Sequence, residues 1–187
     1  MQAAWTGKWF LRAWYEDGRT LGAPDKEVAR INLISQCFAC FAGMPRDQVS
    51  QALEAAWQSL HKSDQGITLL LTPPFTPSEK AGYIGAYLPG VRENGGQYTH
   101  AVPWLMHALL QTGQVERAWE VLRECLPYHH AQALEQARHY RVEPFVLAAD
   151  IYRTGRGGWT WYTGSASWLW VVLLCGFLGF DKQGDQV

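Results

Sequence analysis

The chain has 187 residues and a formal net charge of −1, from 16 Lys and Arg against 17 Asp and Glu. That length is ample to bury a core in one domain, and the balanced charge removes the electrostatic case for binding nucleic acid or an acidic surface. Ten tryptophans and eight tyrosines are many for this size; most belong in a core, and an excess also suits stacking on sugar rings.

The first residues, Met-Gln-Ala-Ala-Trp, lack a basic stretch followed by an apolar run, so no signal peptide is expected. From Trp5 to Leu21 aromatics alternate with charges around the turn signal Glu16-Asp-Gly18, which predicts a loop or short hairpin. Glu27 to Phe41 places Val28, Ile31, Leu33, Ile34, Cys37, Phe38 and Phe41 almost all round a helix, which predicts burial on most sides. Gly43 and Pro45 stop it. Asp47 to Leu60 carries its apolar residues on one face and predicts a surface helix packing inward. Ile67 to Leu71 reads as a short extended segment closed by Pro73-Pro74.

Residues 82–100 hold five glycines, a proline, three tyrosines and an Arg-Glu-Asn triplet. Glycine lets backbone N–H groups approach a ligand closely. Pro103 places the next helix start near Thr99 to Val102, because proline is tolerated in a first turn and breaks an interior. Thr99 and His100 then stand at an N-terminus, where unpaired N–H donors and the helix dipole favour an anion. The helix Thr99 to Gln111 is apolar nearly all round, and Gln114 to Leu126 is amphipathic. Buried helix, short turn, half-exposed helix: the alternation points to an inner and an outer ring. Pro144 suits the first turn of a third inner helix ending near Tyr152. A fourth follows over Ala166 to Phe180, opened by a second cap, Thr163-Gly-Ser165. If the two caps face one another, they form an oxyanion pocket beside an aromatic wall. The apolar run Trp168 to Phe180 has thirteen residues, short of the roughly 20 a spanning helix requires. Cys37 and Cys40 form a lone C-x-x-C inside an apolar pattern. They are expected as free thiols in a reducing, cytoplasmic setting.

The runs Gly90-Val-Arg-Glu-Asn-Gly-Gly-Gln-Tyr-Thr-His100, Val142-Glu-Pro-Phe-Val-Leu-Ala-Ala-Asp-Ile-Tyr152 and Gly155-Arg-Gly-Gly-Trp-Thr-Trp-Tyr-Thr-Gly-Ser-Ala166 resemble glycoside hydrolase family 94. The likeness extends over nearly the whole chain from Ala4 onward. It implies an all-α (α/α)6 toroid, of which residues 1–187 would be about the C-terminal half of the barrel. The N-terminal β-sandwich and the first half of the barrel would be absent. It also implies inverting phosphorolysis, in which inorganic phosphate is the co-substrate and no other cofactor is needed. Phosphate attacks the anomeric carbon of a β-linked glucoside or oligosaccharide, so the general base of an ordinary inverting glycosidase is dispensable.

By motif position, the resemblance makes His100, Thr163 and Gly164 the phosphate-binding residues and Arg92 and Glu93 the sugar-binding ones. Relatives tend to carry Lys at the position of Arg92; the Arg form looks nearer to the cyclic glucan synthase and cellobionic acid phosphorylase branches, which extends the expected location to a cytoplasmic domain of an inner-membrane glucan synthase. The family's acid lies in a Gly-Asp-Trp-Asn-Asp-like motif that this sequence lacks, so no catalytic residue is assigned here. The missing half or a second copy would be the expected partner. Without the resemblance, His100 reads as a cap and Arg92–Glu93 as a local ion pair. Glu143, ahead of Pro144, reads as either a helix cap or a sugar contact. His129-His130 reads as a loop brace, and no metal is expected. Asn32 stands where relatives commonly have Asp, and Phe38 where Trp is usual. The alternatives to an enzyme fragment are a non-catalytic remnant or carbohydrate-binding half-domain, and a helical-toroid hydrolase.

Overall fold

Helices form where apolar residues recur at helical spacing, and several end where a glycine or a left-handed residue follows. The computed structural model describes residues 2–77, 81–161 and 163–180, with the side chains of Gln2 and Thr163 outside that description. Helix α1 (Leu33–Phe41) is shorter than the apolar pattern predicts. Ala29 takes a left-handed φ of 42°, and Asn32, in extended conformation, caps the helix by accepting a 3.0 Å hydrogen bond from the Ile34 N–H. Helix α2 (Arg46–Leu60) follows, buried along Val49, Ala52, Leu53, Ala56 and Leu60. Helix α3 (Ala101–Gln111) buries most of its circumference, and α4 (Val115–Cys125) buries one face. The α3 helix packs against both α1 and α4, so it is the centre of the molecule. A short helix α5 (Leu134–Tyr140), which the sequence pattern missed, precedes α6 (Thr163–Val171). Residues Val172–Phe177 continue α6 as a wider π turn.

The expectation of an all-α half-toroid does not hold. Among the described residues eight two-residue strands pair antiparallel in four small sheets, so the chain is mixed. Strand β1 (Ala13–Trp14) pairs with β2 (Thr20–Leu21), the hairpin the turn signal predicts. Strand β3 (Ile31–Asn32) pairs with β6 (Leu71–Thr72), β4 (His61–Lys62) with β5 (Ile67–Thr68), and β7 (Gln97–Tyr98) with β8 (Asp150–Ile151). The physical reason is burial of the connections. Ile31, Asn32, Ile67, Thr68, Leu71, Gln97, Asp150 and Ile151 are all buried, and backbone groups there must bond to one another because water is excluded. The predicted helix over Pro144–Tyr152 is likewise absent: its last residues form β8, and the Tyr152 N–H bonds to the Arg156 carbonyl at 2.7 Å.

Candidate functional site

Loop 90–98 is folded by its glycines and one asparagine. Gly90 and Gly95 take φ of 85° and 87°. Asn94 is fully buried; its Oδ1 accepts from the Phe75 N–H at 2.7 Å, and its Nδ2 donates to the Phe75 and Tyr87 carbonyls at 3.1 and 2.8 Å. A Cβ at Gly96 would lie 2.9 Å from the Arg92 carbonyl and 3.0 Å from that of Ile151. The loop therefore lies tight on the segment 149–158, and only glycine fits the seam.

This packing presents Arg92 and Glu93 on one wall. Arg92 itself stands at φ 50°. Its guanidinium lies over the Tyr87 ring at 5.0 Å and the Trp159 ring at 5.3 Å. The Arg92 Nε and Glu93 Oε2 are 3.5 Å apart, and neither atom has a hydrogen-bond partner although both are shielded from solvent. The local ion pair thus exists, but it leaves both groups with unused bonding capacity. Asp150, 3% exposed, joins them from β8. Its Oδ1 accepts a long 3.4 Å bond from the Trp159 N–H, and its Oδ2 has no partner. Burial pushes its carboxyl above the usual range, opposed by the Trp159 bond and the Arg92 charge. A Cβ at Gly158 would overlap that carboxylate, which accounts for a glycine in that position.

Strand β7 carries this wall directly to the start of α3. The Tyr98 hydroxyl is held above its usual range by burial and by the Glu93 charge. Its ring stacks on His100, centroids 5.8 Å apart and planes within 10°. His100 is half-buried, meets Trp104 edge-on at 4.8 Å and Trp168 at 6.5 Å, and is held below the usual imidazole range by burial. It makes no side-chain cap bond to α3. A Cβ at Gly164 would stand 2.8 Å from His100 Cε1 and 2.9 Å from Nδ1. The starts of α3 and α6 therefore meet, as the two-cap reading requires. Thr163 opens α6 by its backbone; its side chain lies outside the described residues.

Arg92, Glu93, Tyr98, His100 and Gly164 thus form one continuous row, with Asp150 the site residue that sequence reasoning passed over. Its signal was local: a lone Asp in an apolar run, five residues before a Gly-rich stretch. Glu143 lies elsewhere in role, accepting a 3.2 Å bond from Trp161 Nε1 with no helix behind it to cap. His130 braces its loop, its Nε2–H donating to the Glu124 carbonyl at 2.9 Å and its ring stacked on Tyr140. Asn32 acts as the α1 cap described above. Among the described residues, no helix is long and apolar enough to cross a membrane, and all four cysteines are free.

A half-buried imidazole at two meeting helix starts is thus flanked by a carboxylate and an aromatic-lined guanidinium, groups chemically able to bond a polar, anion-bearing ligand. The sequence profile of the glycosyl hydrolase 94 superfamily catalytic domain matches residues 1–179, and the chain belongs to that family. It is 43% identical over its full length to a cyclic β-(1,2)-glucan synthase of Rhizobium meliloti, of which it spans 7%. It is 27% identical, over 97% of its length, to an N,N′-diacetylchitobiose phosphorylase of Vibrio furnissii, and 26% identical over 97% to a cellobionic acid phosphorylase of Neurospora crassa. It spans 23% and 24% of those two proteins.

Proposed function

We propose that this chain supplies the phosphate side and part of the sugar side of an inverting glycoside phosphorylase, or of the corresponding domain of a glucan synthase. The observation that carries the reading is the contact of the His100 ring with Gly164, which sets two helix starts around one small space. Phosphate there would accept hydrogen bonds from the imidazole, from the α6 amides at Thr163 and Gly164, and from the Thr163 hydroxyl, a donor set suited to a dianion. Arg92 and Glu93 would hold the hydroxyls of a β-linked glucoside, with Tyr87 and Trp159 as apolar flanks. Phosphate would attack the anomeric carbon while a carboxylic acid from another part of the protein protonates the leaving oxygen. Residues 1–187 would then be one part of a larger catalytic domain, in keeping with the fraction of each relative that the chain spans. The free cysteines favour a reducing compartment for it.

The test is steady-state kinetics in the complete enzyme, varying phosphate. His100→Ala should lower turnover and raise the phosphate concentration at half-maximal rate, the loss of one charge-assisted bond being about ten- to a hundredfold. Gly164→Ala should act in the same direction, since its new methyl displaces the imidazole. Arg92→Ala should act on sugar affinity and leave phosphate dependence nearly unchanged. Wild-type phosphate kinetics in both of the first two variants would reduce this site to a helix junction.

A further inference from the structure

Away from that row, the end of α2 meets α4 through three side chains that the proposed reaction does not use. His61 follows α2 directly, and Glu120 and Glu124 stand one turn apart on α4. His61 Nε2 lies 3.4 Å from Glu120 Oε1 and 3.7 Å from Glu124 Oε2. One ligand atom from each residue lies within 4.8 Å of the other two. The His61 side chain is 5% exposed and stacks on Trp57 at 3.9 Å. Glu124 is 9% exposed, and its Oε2 has no hydrogen-bond partner.

Two carboxylates four residues apart on one helix repel each other, and a buried carboxylate oxygen without a partner is costly. The nearby cations relieve this little: the Arg123 charge favours ionised Glu124 but is outweighed by burial and by repulsion from Glu120. Arg117 is committed to Glu54 at 2.6 Å and Gln114 at 2.8 Å, and Lys62 donates to the Ser59 carbonyl. Among the described residues neither Glu120 nor Glu124 pairs with a lysine or arginine. The other His61 nitrogen, Nδ1, lies 3.3 Å from the Thr68 hydroxyl. With Nδ1–H donated there, the Nε2 lone pair faces two carboxylates. The Nε2 distances are long for direct hydrogen bonds and leave space between the three atoms. An imidazole oriented by a partner on its far nitrogen, with carboxylates converging on the near one, is the arrangement of a metal ligand.

We propose that His61, Glu120 and Glu124 bind a divalent cation of the zinc class, clamping the end of α2 to α4. One imidazole nitrogen and two carboxylate oxygens suit zinc, whose bonds to such atoms are about 2.0–2.2 Å, and small side-chain rotations close the gap. Glu120, 36% exposed at its side chain, leaves the fourth position open to water and gives the ion its entry. The sequence hid this trio because His61 and Glu120 are 59 residues apart.

The experiment uses the whole protein, freed of metal by a chelator, then titrated with Zn2+ by calorimetry and with Co2+ by absorption. One equivalent should bind, and bound Zn2+ should raise the melting temperature by mass action. The Co2+ spectrum should lack thiolate charge transfer. Glu120→Gln, at the rim, should lower affinity at least tenfold while the metal-free melting temperature stays near wild type. Thr68→Val, which removes the orienting hydroxyl, should lower it by about ten- to a hundredfold. Glu124→Gln should abolish one-to-one binding, and Glu120→Gln stands in for it should that buried change prevent folding. No stoichiometric binding, a thiolate band from the cysteines, or an affinity unmoved by Glu120→Gln each overturns the proposal.

Discussion

At the scale of single residues, Asp150 shows a site group held at a cost to the fold. Its carboxylate is buried, has one unpartnered oxygen and is pushed above its ordinary value of 3.8 mainly by burial. A carboxyl raised in the folded state lends full relative stability only below its unfolded value, and that stability is lost as pH climbs through the folded value. Asp150→Asn removes the charge and keeps an acceptor for the Trp159 N–H. The variant should therefore melt above wild type at pH 7, with the gap closing as pH is lowered toward 3.8. Thermal denaturation across that range checks it. A variant less stable than wild type at neutral pH would mean that attraction to Arg92 outweighs burial. Sugar affinity should fall in the same variant, since activity and stability compete where a charge is kept buried for use.

At the scale of elements, loop 90–98 depends on Asn94 as well as on its glycines. Asn94→Ala strips hydrogen bonds from the Phe75 N–H and carbonyl and from the Tyr87 carbonyl. Leaving buried groups unsatisfied should cost about 2–4 kcal/mol, read by chemical denaturation. An unchanged midpoint would show that water replaces the amide.

The same loop marks the limit of what the sequence discloses. Helices α2, α3 and α4 were legible because their apolar spacing is sustained, and Pro103 fixes the start of α3. The stretch ahead of α1 was not, since Val28 and Ile31 fit a helical period yet serve a left-handed turn and a ladder. Two-residue strands have no period to detect, so β7 and β8 could not be foreseen, nor the position of Asp150 behind Arg92. His100 and Gly164 were legible as caps and, through the family likeness, as partners. Their contact is a tertiary fact.

For the whole molecule, the decisive feature is apolar surface around α6. Phe145, Trp161 and Trp170 are 77%, 69% and 63% exposed, and with Leu147 and Leu173 they line an open groove. Contiguous apolar patches of this kind mark contact surfaces. The isolated 187-residue chain should therefore self-associate in size-exclusion chromatography, and Trp170→Glu should shift it toward monomer. It should also release no sugar 1-phosphate from cellobiose, chitobiose or β-1,2-glucan, general acid catalysis being worth about 10²–10⁴ in rate. A sharp monomer peak, or turnover by the chain alone, would contradict the proposal that it is one part of a larger domain.

Loop 90–98 is also pinned at both ends to one neighbouring segment: the Arg153 N–H bonds to the Gly90 carbonyl at 2.8 Å, and the Thr99 N–H to the Ala149 carbonyl at 3.0 Å. Between those pins stand the residues proposed for the sugar, and one residue beyond stands the histidine proposed for phosphate. The pitch between the two half-sites is thereby set by the covalent chain itself, as on a ruler. On the proposed assignments, the residues facing the sugar can be exchanged one at a time without moving the proposed anchor for phosphate.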